Sequence, residues 1–355
     1  MSTVRQLPGY TNFLRPRPAT ELVRAAKDGP VVVITVHQTR CDALIIQPGC
    51  PEIAHIHLPG MTAQKAREAR IQVDTSIGRN GVMSRGDRRP LQSEASTEEH
   101  EFDEALAMLW DDVAEPVLRF LGYTGRVLEI LPHITWCTTG PLSLLPLHAA
   151  GYYDRDGAKL SDFAVSSYTP TLGTLLTNTF PAETVSSVLA VGQQATSGLN
   201  PLPGTRRELA YISHHAGQTV RYKQLTDSDA TPEAVLNEME QHQWVHLACH
   251  AHQCVSDPRK SGFFLHGGTL DISAITQRSF SNKGLAFLSA CQTATGDRKL
   301  ADEAVHLASG MLISGYPSVI ATMWAVGDSD APFVADKVYG QLLKDGKLNC
   351  RDAAR

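Results

Sequence analysis

Hydrophobic and polar positions near the start of the chain form two short blocks that predict a pair of strands. The apolar run at residues 30–36 (PVVVITV) is followed, after a polar turn, by a second β-rich run at residues 42–46 (DALII). Two such runs joined by a short turn are typical of a β-hairpin. A helix that contains Ala66 follows. Residues 75–94 are rich in glycine and arginine without a hydrophobic period, which predicts a solvated loop rather than an anion-binding patch.

A long amphipathic helix is predicted next. Apolar residues recur at three- and four-residue spacing from residue 102 to residue 120, which places them on one face of a helix. Ser96 and Glu99 have the spacing of a capping box at the start of this helix. Pro116 is expected to bend it, because proline has no amide hydrogen to donate.

From about Val127 the pattern changes to strands that alternate with helices, which is typical of a largely parallel sheet covered on both faces. Thr205 with Glu208 predicts the start of one helix, and Thr231 predicts the cap of the next. The predicted strands are Ser187–Gly192, Thr219–Lys223, Trp244–His250, Leu285–Cys291 and Ser318–Trp324, with a hairpin around Gly267 and Gly268 and further helices from about Asp302 and Asp328.

Two of these hydrophobic runs end on side chains that are typical of catalysis. The run WVHLACH ends at His250, and the run LAFLSAC ends at Cys291. In an open parallel sheet, the carboxyl ends of neighbouring strands meet at the crevice where ligands bind. An imidazole and a thiol at two such ends therefore predict a cysteine–histidine hydrolase.

The composition is that of an ordinary globular chain. Its 355 residues are 42% hydrophobic and 19% charged, and the formal net charge of -5 does not favour nucleic-acid binding. No apolar run is long enough to cross a bilayer, and residues 1–13 lack the apolar core of a signal peptide, so we expect a cytoplasmic or nuclear location. The 7 scattered cysteines argue against a disulfide framework and favour reduced thiols.

The candidate residues also have simpler interpretations. A lone cysteine is more often a small core residue than a nucleophile, but the polar run 292–297 after Cys291 suits a crevice wall better than a core. The histidines and cysteines from His246 to Cys254 suggest zinc. Residues four apart on a strand are about 13 Å apart, however, and the spacing lacks the pattern of structural zinc sites. We therefore expect no metal, no other cofactor and a buried structural role for His246.

The same segments resemble a known family. HLACHAHQ and LAFLSACQTATG, with the later LADEAVHLASGMLISGYPSVIATMWAVGDSDA, resemble the CHAT domain, a family of caspase- and separase-like cysteine proteases. Upstream, ITWCTTGPLSLLPLHAAGYY, SSYTPTLGTLL and LAVGQQATSGLNPLPGTRREL resemble the part of CHAT proteins that precedes the catalytic pair. PVVVITVHQTRCDALII resembles their amino-terminal lobe. The order and spacing of these segments are more specific than any single one of them.

The resemblance implies an α/β fold of two lobes. One is a caspase-like three-layer αβα catalytic lobe with a largely parallel sheet, and the other is an amino-terminal inactive caspase-like lobe. We assign residues 1–126 to the inactive lobe and residues 127–355 to the catalytic lobe. Because residues 350–355 look like the start of another helix, we expect the catalytic lobe to be truncated at its carboxyl end. CHAT proteins commonly carry helical repeats before the protease, and the sequence contains no internal repeat.

The resemblance also assigns the catalytic pair to His250 and Cys291. The Cys291 thiolate would attack the scissile carbonyl, and His250 would protonate the leaving amine. Backbone amides at Ala251 and Gln292 are the candidates for stabilising the oxyanion. Ala251 stands where the wider caspase-like clan usually has glycine.

Candidates for the substrate pocket are fewer. Asp297, Asp302 and Asp328 are the acidic residues near the strand ends, and helix capping is the better interpretation of Asp302 and Asp328. An acidic residue in the pocket would favour a basic residue before the scissile bond. Trp324, at the end of its strand, fits either an apolar wall of the pocket or the core. Asp297 and Trp324 are therefore the pocket candidates.

Together these observations favour a cysteine endopeptidase that cuts a protein substrate. We expect it to stay latent until an activating protein partner or a missing helical-repeat region orders its active site. A catalytically silent caspase-like scaffold is the alternative. A different α/β enzyme is disfavoured, because the chain has no G-x-S-x-G, G-x-G-x-x-G or P-loop motif. Neither nucleic acid nor a membrane is an expected partner.

Overall fold

A computed structural model of the chain describes Gln6 and residues 15–79, 95–124, 130–177, 185–218, 220–254, 257–278, 280–290, 307–324 and 326–344. Its strands are β1 (Val31–Val36), β2 (Cys41–Ile46), β3 (Ile53–His57), β4 (His133–Thr138), β5 (Val165–Tyr168), β6 (Ser187–Gly192), β7 (Arg221–Thr226), β8 (Trp244–Ala248), β9 (Ala251–His252), β10 (Gly262–Leu265), β11 (Gly268–Asp271), β12 (Leu285–Ser289) and β13 (Ser318–Ala321). Its helices are α1 (Ala19–Leu22), α2 (Ala63–Arg79), α3 (Ala95–Leu109), α4 (Glu115–Leu121), α5 (Leu172–Thr177), α6 (Gly204–Ala216), α7 (Pro232–Gln241), α8 (Ile272–Thr276), α9 (Leu307–Ile313) and α10 (Ala331–Leu342). None of the helices in these ranges combines the length and the apolar character that a bilayer span requires.

The first sheet has the strand order β3-β2-β1-β4-β5 and is mixed in direction. β1 and β2 pair antiparallel, with residues 31–36 opposite residues 46–41, which confirms the predicted hairpin. β2 and β3 are also antiparallel, whereas β1, β4 and β5 are parallel. The sequence pattern does not predict β3, because its alternation of apolar residues with His55 and His57 covers only 5 residues.

β4 and β5 follow residue 126, yet both belong to the first sheet. β4 pairs with β1, and its residue His133 lies opposite Val165 of β5. The first sheet therefore extends past the 126/127 boundary drawn from the sequence. Pairing between strands this far apart in the chain leaves no mark in a local hydrophobic pattern. The assignment of the chain to two lobes stays a prediction.

The predicted long helix is present but interrupted. α3 is followed by a π-helical turn at Trp110–Ala114 and then by α4. Pro116 lies in the first turn of α4, where a missing amide hydrogen costs little, so the wider turn before the proline accommodates it. The capping box at Ser96 and Glu99 falls at residues 95–100, whose side chains lie outside the described ones.

The loop expected at residues 75–94 is wrong for its first part, because α2 continues to Arg79. Val73 and Ser76 are 1% and 2% exposed, so this end of the helix still faces the protein interior. Residues 80–94 lie outside the described part of the chain. Apolar side chains of α2 and α3 join those of β1 and β2 in a single core beneath the first sheet.

The second sheet is parallel throughout and has the order β13-β12-β8-β6-β7. α6 and α10 share a core with one face of the sheet, and α7, α8 and α9 share a core with the other. These three layers confirm the predicted αβα fold class. β6 is the first strand of this sheet in chain order. The next strand, β7, lies on one side of β6 and the following strand, β8, lies on the other, so the winding direction reverses between β6 and β8. The carboxyl ends of these two strands border the crevice in which open parallel sheets bind ligands.

Local predictions around the second sheet are confirmed in part. β6 has the predicted bounds, and the Thr231 hydroxyl caps α7 by accepting an amide hydrogen bond at 3.3 Å. The capping box of Thr205 and Glu208 is wrong. Thr205 donates its hydroxyl to a carbonyl of the preceding turn, and Glu208 is fully buried against His246. Glu208 lies on the side of α6 that faces the sheet, where its carboxylate meets an imidazole instead of the helix start.

A small antiparallel sheet of order β11-β10-β9 follows β8. β10 and β11 form the predicted hairpin, with Leu265 opposite Gly268. Gly267, at the turn, has a φ of 75°, a left-handed conformation that glycine adopts without strain. The small sheet therefore holds the chain immediately after His250.

Candidate active site

His250 lies just past the carboxyl end of β8. Every residue of β8 is buried, and His250 itself is 3% exposed. Its Nε2 atom is 2.8 Å from the backbone carbonyl oxygen of Asn200. A carbonyl only accepts hydrogen bonds, so Nε2 carries the hydrogen and donates it. Nδ1 is therefore the ring nitrogen left to exchange a proton with a reacting group.

The loop at residues 193–203, between β6 and α6, presents the Asn200 carbonyl to this imidazole. The amide of Leu202 donates to the Gln194 carbonyl at 2.8 Å, and the amide of Gln194 donates to the Asp227 carboxylate at 3.1 Å. These bonds fix the shape of the loop. Sequence reasoning missed Asn200, because a backbone carbonyl leaves no residue-type signal. The turn-forming segment GLNPLPG predicts a loop but not its contact.

The backbone amide of Ala251 is directed away from the small sheet. Ala251 lies opposite Phe263 in the antiparallel pairing of β9 with β10, and the amide of Phe264 donates to the His250 carbonyl at 2.8 Å. Antiparallel strands alternate between hydrogen-bonded and non-hydrogen-bonded pairs. The pair of Ala251 and Phe263 is therefore non-hydrogen-bonded, and the Ala251 N–H faces the open side of β9.

The strand before Cys291 lies beside the strand before His250. β12 pairs directly with β8, and Ser289 is opposite Ala248, which confirms that the two predicted strands are neighbours. Ala290, next in the chain, is 3% exposed. The predicted site residues Cys291, Gln292 and Asp297, and also Asp302, lie outside the described residues.

Trp324 lies shortly after β13 and is partly buried. Its ring packs edge-on against Phe102 of α3, with ring centroids 6.0 Å apart and an interplanar angle of 89°. Phe102 in turn packs against the core beneath the first sheet. Trp324 therefore connects the end of the second sheet to a helix of the first, and its role in a substrate pocket stays a prediction.

Asp328 caps a helix, but not the helix that it was expected to start. Its Oδ2 atom accepts the amide of Gly204, the first residue of α6, at 2.6 Å, whereas α10 begins at Ala331 after Asp330. A carboxylate is favoured there by the partial positive charge of a helix start. A β-carbon on Gly204 would lie 2.1 Å from the Asp328 carbonyl oxygen, so only glycine permits this close approach.

His246 has the buried structural role that the sequence predicts. His246 and Glu208 are both 0% exposed, and His246 Nε2 is 3.0 Å from Glu208 Oε1. The Tyr339 hydroxyl lies 3.3 Å from His246 Nδ1, and burial raises the pKa of Tyr339 well above its ordinary value. This network ties β8 to α6 through Glu208 and to α10 through Tyr339.

His252 and Cys254, which follow His250 in the chain, make contacts of their own. The His252 ring packs on Phe264 with centroids 4.9 Å apart, and the amide of Cys254 donates to the Ser261 hydroxyl at 3.0 Å. Within the described ranges, no group of three His, Cys, Asp or Glu side chains is placed to hold a metal ion.

A groove of about 510 Å³ lies at the opposite end of the second sheet from His250, with Arg221, His242 and Lys283 in its lining. Lys283 Nζ donates to three backbone carbonyls at the end of α7, at 2.7 to 3.0 Å. Burial lowers the pKa of Lys283 to about 8. These bonds cap α7, so Lys283 has a structural role remote from the candidate active site.

The second sheet is parallel and covered by helices on both faces, and the chain has a caspase-like α/β fold. The chain belongs to the CHAT domain family, whose family model matches residues 103–354. No curated protein matches the chain at the level of sequence.

Solved structures with a similar fold have very different sequences. The separase–securin complex of Saccharomyces cerevisiae, in a 2.6 Å structure, matches with a TM-score of 0.57 and 10% identity over 95% of this chain and 29% of that chain. A 3.0 Å structure of the same complex gives a TM-score of 0.55 with the same identity and coverage. The Arg-specific cysteine proteinase gingipain R (RGPB) gives 0.47, with 12% identity over 68% of this chain and 60% of that one. At this identity the likeness to separase shows the fold alone, and the chain spans less than a third of the separase chain.

Proposed function

We propose that the protein is a cysteine endopeptidase in which Cys291 is the nucleophile and His250 is the general acid and base. The observation that carries this proposal is the placement of His250. Its imidazole sits at the carboxyl end of β8, held by the Asn200 carbonyl, directly beside the strand that runs into Cys291.

The register of the two strands supports a short distance between the two residues. Ser289 lies opposite Ala248, and each candidate residue follows its strand partner by two positions. Adjacent strands are about 4.8 Å apart and successive α-carbons about 3.8 Å apart. Cys291 is bonded to Ala290, so these spacings favour an encounter of its thiol with the imidazole.

The chemistry follows from the two side chains. His250 takes the thiol proton on Nδ1, and the thiolate forms a sulfur–carbon bond to the scissile carbonyl. The carbonyl electron pair moves onto oxygen, where the outward-facing amide of Ala251 and the amide of Gln292 would donate. When the tetrahedral species collapses, the carbon–nitrogen bond breaks and His250 protonates the amine. Water then attacks the acyl carbonyl, with His250 accepting its proton. Collapse of this second tetrahedral species breaks the carbon–sulfur bond and releases the carboxylic acid and the Cys291 thiolate. No step needs a cofactor.

Substrate selection is assigned to Asp297 and Trp324. A carboxylate at Asp297 would favour a basic residue before the scissile bond, and the indole of Trp324 would supply an apolar wall. The substrate is a protein. An activating protein partner, or a helical-repeat region, would bring the protein from a latent to an active form. A reduced thiol favours the cytoplasm or the nucleus as the location.

An acyloxymethyl ketone probe with a mixed peptide library tests the proposal. The full 355-residue chain is compared with Cys291→Ala and His250→Ala, and the labelled residue is identified by mass spectrometry. Labelling at Cys291 that is lost in both variants is the expected result. Cys254→Ala is the matched control, because Cys254 is a partly exposed thiol close to His250 in sequence and should not affect labelling.

One possible result of the same probe experiment would contradict the proposal. If Cys291 stays unlabelled, even after addition of lysate that contains natural partners, the catalytically silent scaffold becomes the better explanation. The peptide sequences that label best would report the preference of the pocket directly.

A further inference from the structure

Three residues after β13 each contact a different part of the molecule. The Thr322 hydroxyl donates to the Ala290 carbonyl at 2.8 Å, the Trp324 ring packs on Phe102, and the Asp328 carboxylate accepts the amide of Gly204. We call Thr322, Trp324 and Asp328 the post-β13 residues. All three are partly buried, so they form part of the packed structure.

The Thr322 contact reaches Ala290, which follows β12 and precedes the proposed nucleophile in the chain. Thr322 binds the carbonyl of Ala290, and Ala290 is bonded directly to Cys291. β12 and β13 are paired up to Leu288 and Ala321. The hydroxyl contact therefore extends the attachment between the two strands to the residue just before Cys291.

The third contact reaches the loop that holds the proposed acid and base. Asp328 fixes the start of α6 at Gly204, which follows Asn200 by four residues. Between them, Leu202 is held by a hydrogen bond to Gln194. A charge-assisted hydrogen bond to a helix start is stronger than a neutral one. Displacement of α6 would thus move the Asn200 carbonyl away from the His250 imidazole.

The contact of Trp324 with Phe102 connects this segment to the core beneath the first sheet. Phe102 belongs to α3 and packs against the core beneath that sheet, while Trp324 lies between the other two post-β13 residues in the chain. An edge-on aromatic pair has a defined geometry, which ordinary apolar packing lacks. The position of α3 therefore affects Trp324, and through the same segment it affects Thr322 and Asp328.

We propose that Asp328 is a positioning residue for His250, acting through α6 and the Asn200 carbonyl, and that the packing of Trp324 on Phe102 makes this positioning depend on the first sheet. Among the described residues, Asp328 binds the Gly204 amide and Phe102 packs on Trp324, so both are assigned an indirect effect on His250. The inference rests on the proposed function, because it concerns the orientation of the imidazole that serves Cys291.

The test is the pH dependence of alkylation of Cys291 by iodoacetamide, followed by mass spectrometry in the full chain. A thiol beside an imidazolium ionises below the value of about 8.5 for a free cysteine and stays reactive at lower pH. In Asp328→Asn, which keeps the shape but removes the charge, we expect the profile to shift toward that of a free thiol. The alkylation rate at pH 7 should then fall by about tenfold, in proportion to the thiolate fraction.

Phe102→Leu is the second variant, and we expect a smaller shift in the same direction with a rate loss of about threefold at pH 7. The matched controls are Asp330→Asn, an exposed carboxylate two residues from Asp328, and Phe163→Leu, whose ring packs on Trp110 within the first core. Both controls should keep the wild-type profile. If Asp328→Asn fails to fold, the comparison of Phe102→Leu with Phe163→Leu still tests the proposal.

Two results would contradict the positioning role of Asp328, and one of them would also contradict the proposed catalytic pair. A wild-type profile at low pH that His250→Ala abolishes but that Asp328→Asn and Phe102→Leu leave unchanged would overturn the positioning role and leave the proposed dyad standing. A wild-type profile like that of a free cysteine, unchanged by His250→Ala, would overturn the proposed function and the positioning role together.

Discussion

The two five-stranded sheets of the described chain differ at the carboxyl ends of their parallel strands. After β4 in the first sheet, the Thr139 hydroxyl donates to the Ile34 carbonyl at 3.1 Å and accepts the amide of Val36 at 3.1 Å. After β8 in the second sheet, His250 binds one carbonyl and keeps a ring nitrogen for proton exchange. Threonine satisfies the backbone at a strand end, whereas histidine leaves a group that can react. Under our proposal, the residue type at this position separates a strand end that binds the backbone from one that takes part in proton transfer.

The thiols of the two sheets show the same contrast. Cys137 lies within β4, is 7% exposed and has its Sγ atom 3.9 Å from the Pro170 carbonyl. Burial raises the pKa of Cys137 to about 11, so its thiol stays protonated near neutral pH. In our proposal Cys291, which follows β12 in the chain, ionises instead. Cys137 is therefore a buried structural thiol of the first sheet.

The largest effect that we predict concerns the buried pair of Glu208 on α6 and His246 on β8. In Glu208→Ala, His246 Nε2 would lose its partner while Tyr339 stays at Nδ1, and removing one member of a buried pair costs about 3 to 5 kcal/mol. We expect the midpoint of urea unfolding to fall sharply. Glu233→Ala, an exposed carboxylate in the first turn of α7, is the control and should leave the midpoint nearly unchanged. Equal midpoints for the two variants would contradict the structural role of the pair.

The second largest effect that we predict concerns Thr139, which follows β4 in the first sheet. Thr139→Val removes a donor and an acceptor that connect β4 to β1, and we expect a loss of about 1 to 2 kcal/mol in the free energy of unfolding. Labelling of Cys291 by the peptide probe should not change. Thr39→Val, at an exposed position, serves as the control. Loss of labelling in Thr139→Val without loss of stability would break the contrast between the two strand ends.

The smallest effect depends on pH and concerns Asp42 near the start of β2. Asp42 accepts two hydrogen bonds from Arg40, at 2.6 and 2.7 Å, and one contact from His55 at 2.8 Å, which hold its pKa well below the usual range. A depressed pKa in the folded state stabilises the fold fully above about pH 4, near the unfolded value, and this contribution is lost as the pH falls further.

Asp42→Asn should therefore unfold at a lower temperature than the wild type at pH 7, and the difference should shrink at pH 3. Thermal unfolding at pH 7, 5 and 3 measures this, with Asp229→Asn, an exposed carboxylate, as the control. A difference that stays constant over this range would show that the carboxylate charge is not the cause.

The sequence predicts those structural features that depend on residues close together in the chain. β6 and the Thr231 cap are found as expected, because a short apolar run and a capping hydroxyl each act within a few residues. Glu208 has the spacing of a capping box and yet binds His246, a partner from another strand. Asp328 likewise caps a helix far from it in the chain. Local patterns carry the residue types but not these distant pairings.

The candidate site likewise has some features that the sequence predicts and others that it does not. The sequence places His250 at the end of a strand, and the strand before Cys291 as its neighbour, because hydrophobic runs mark both strands. The Asn200 carbonyl that orients the imidazole has no such mark, since every residue has a carbonyl. The packing of Trp324 on Phe102 is equally invisible, because it depends on how the helices of the first sheet meet the second.

The close approach of Gly204 to Asp328 has a consequence for protein design. Because a β-carbon at position 204 would overlap the backbone of residue 328, a side chain cannot be introduced at one position while the other keeps its place. The two positions are 124 residues apart in the chain but act as one unit of sequence change. A redesign that lengthens the loop before α6 would have to rebuild the segment after β13 at the same time.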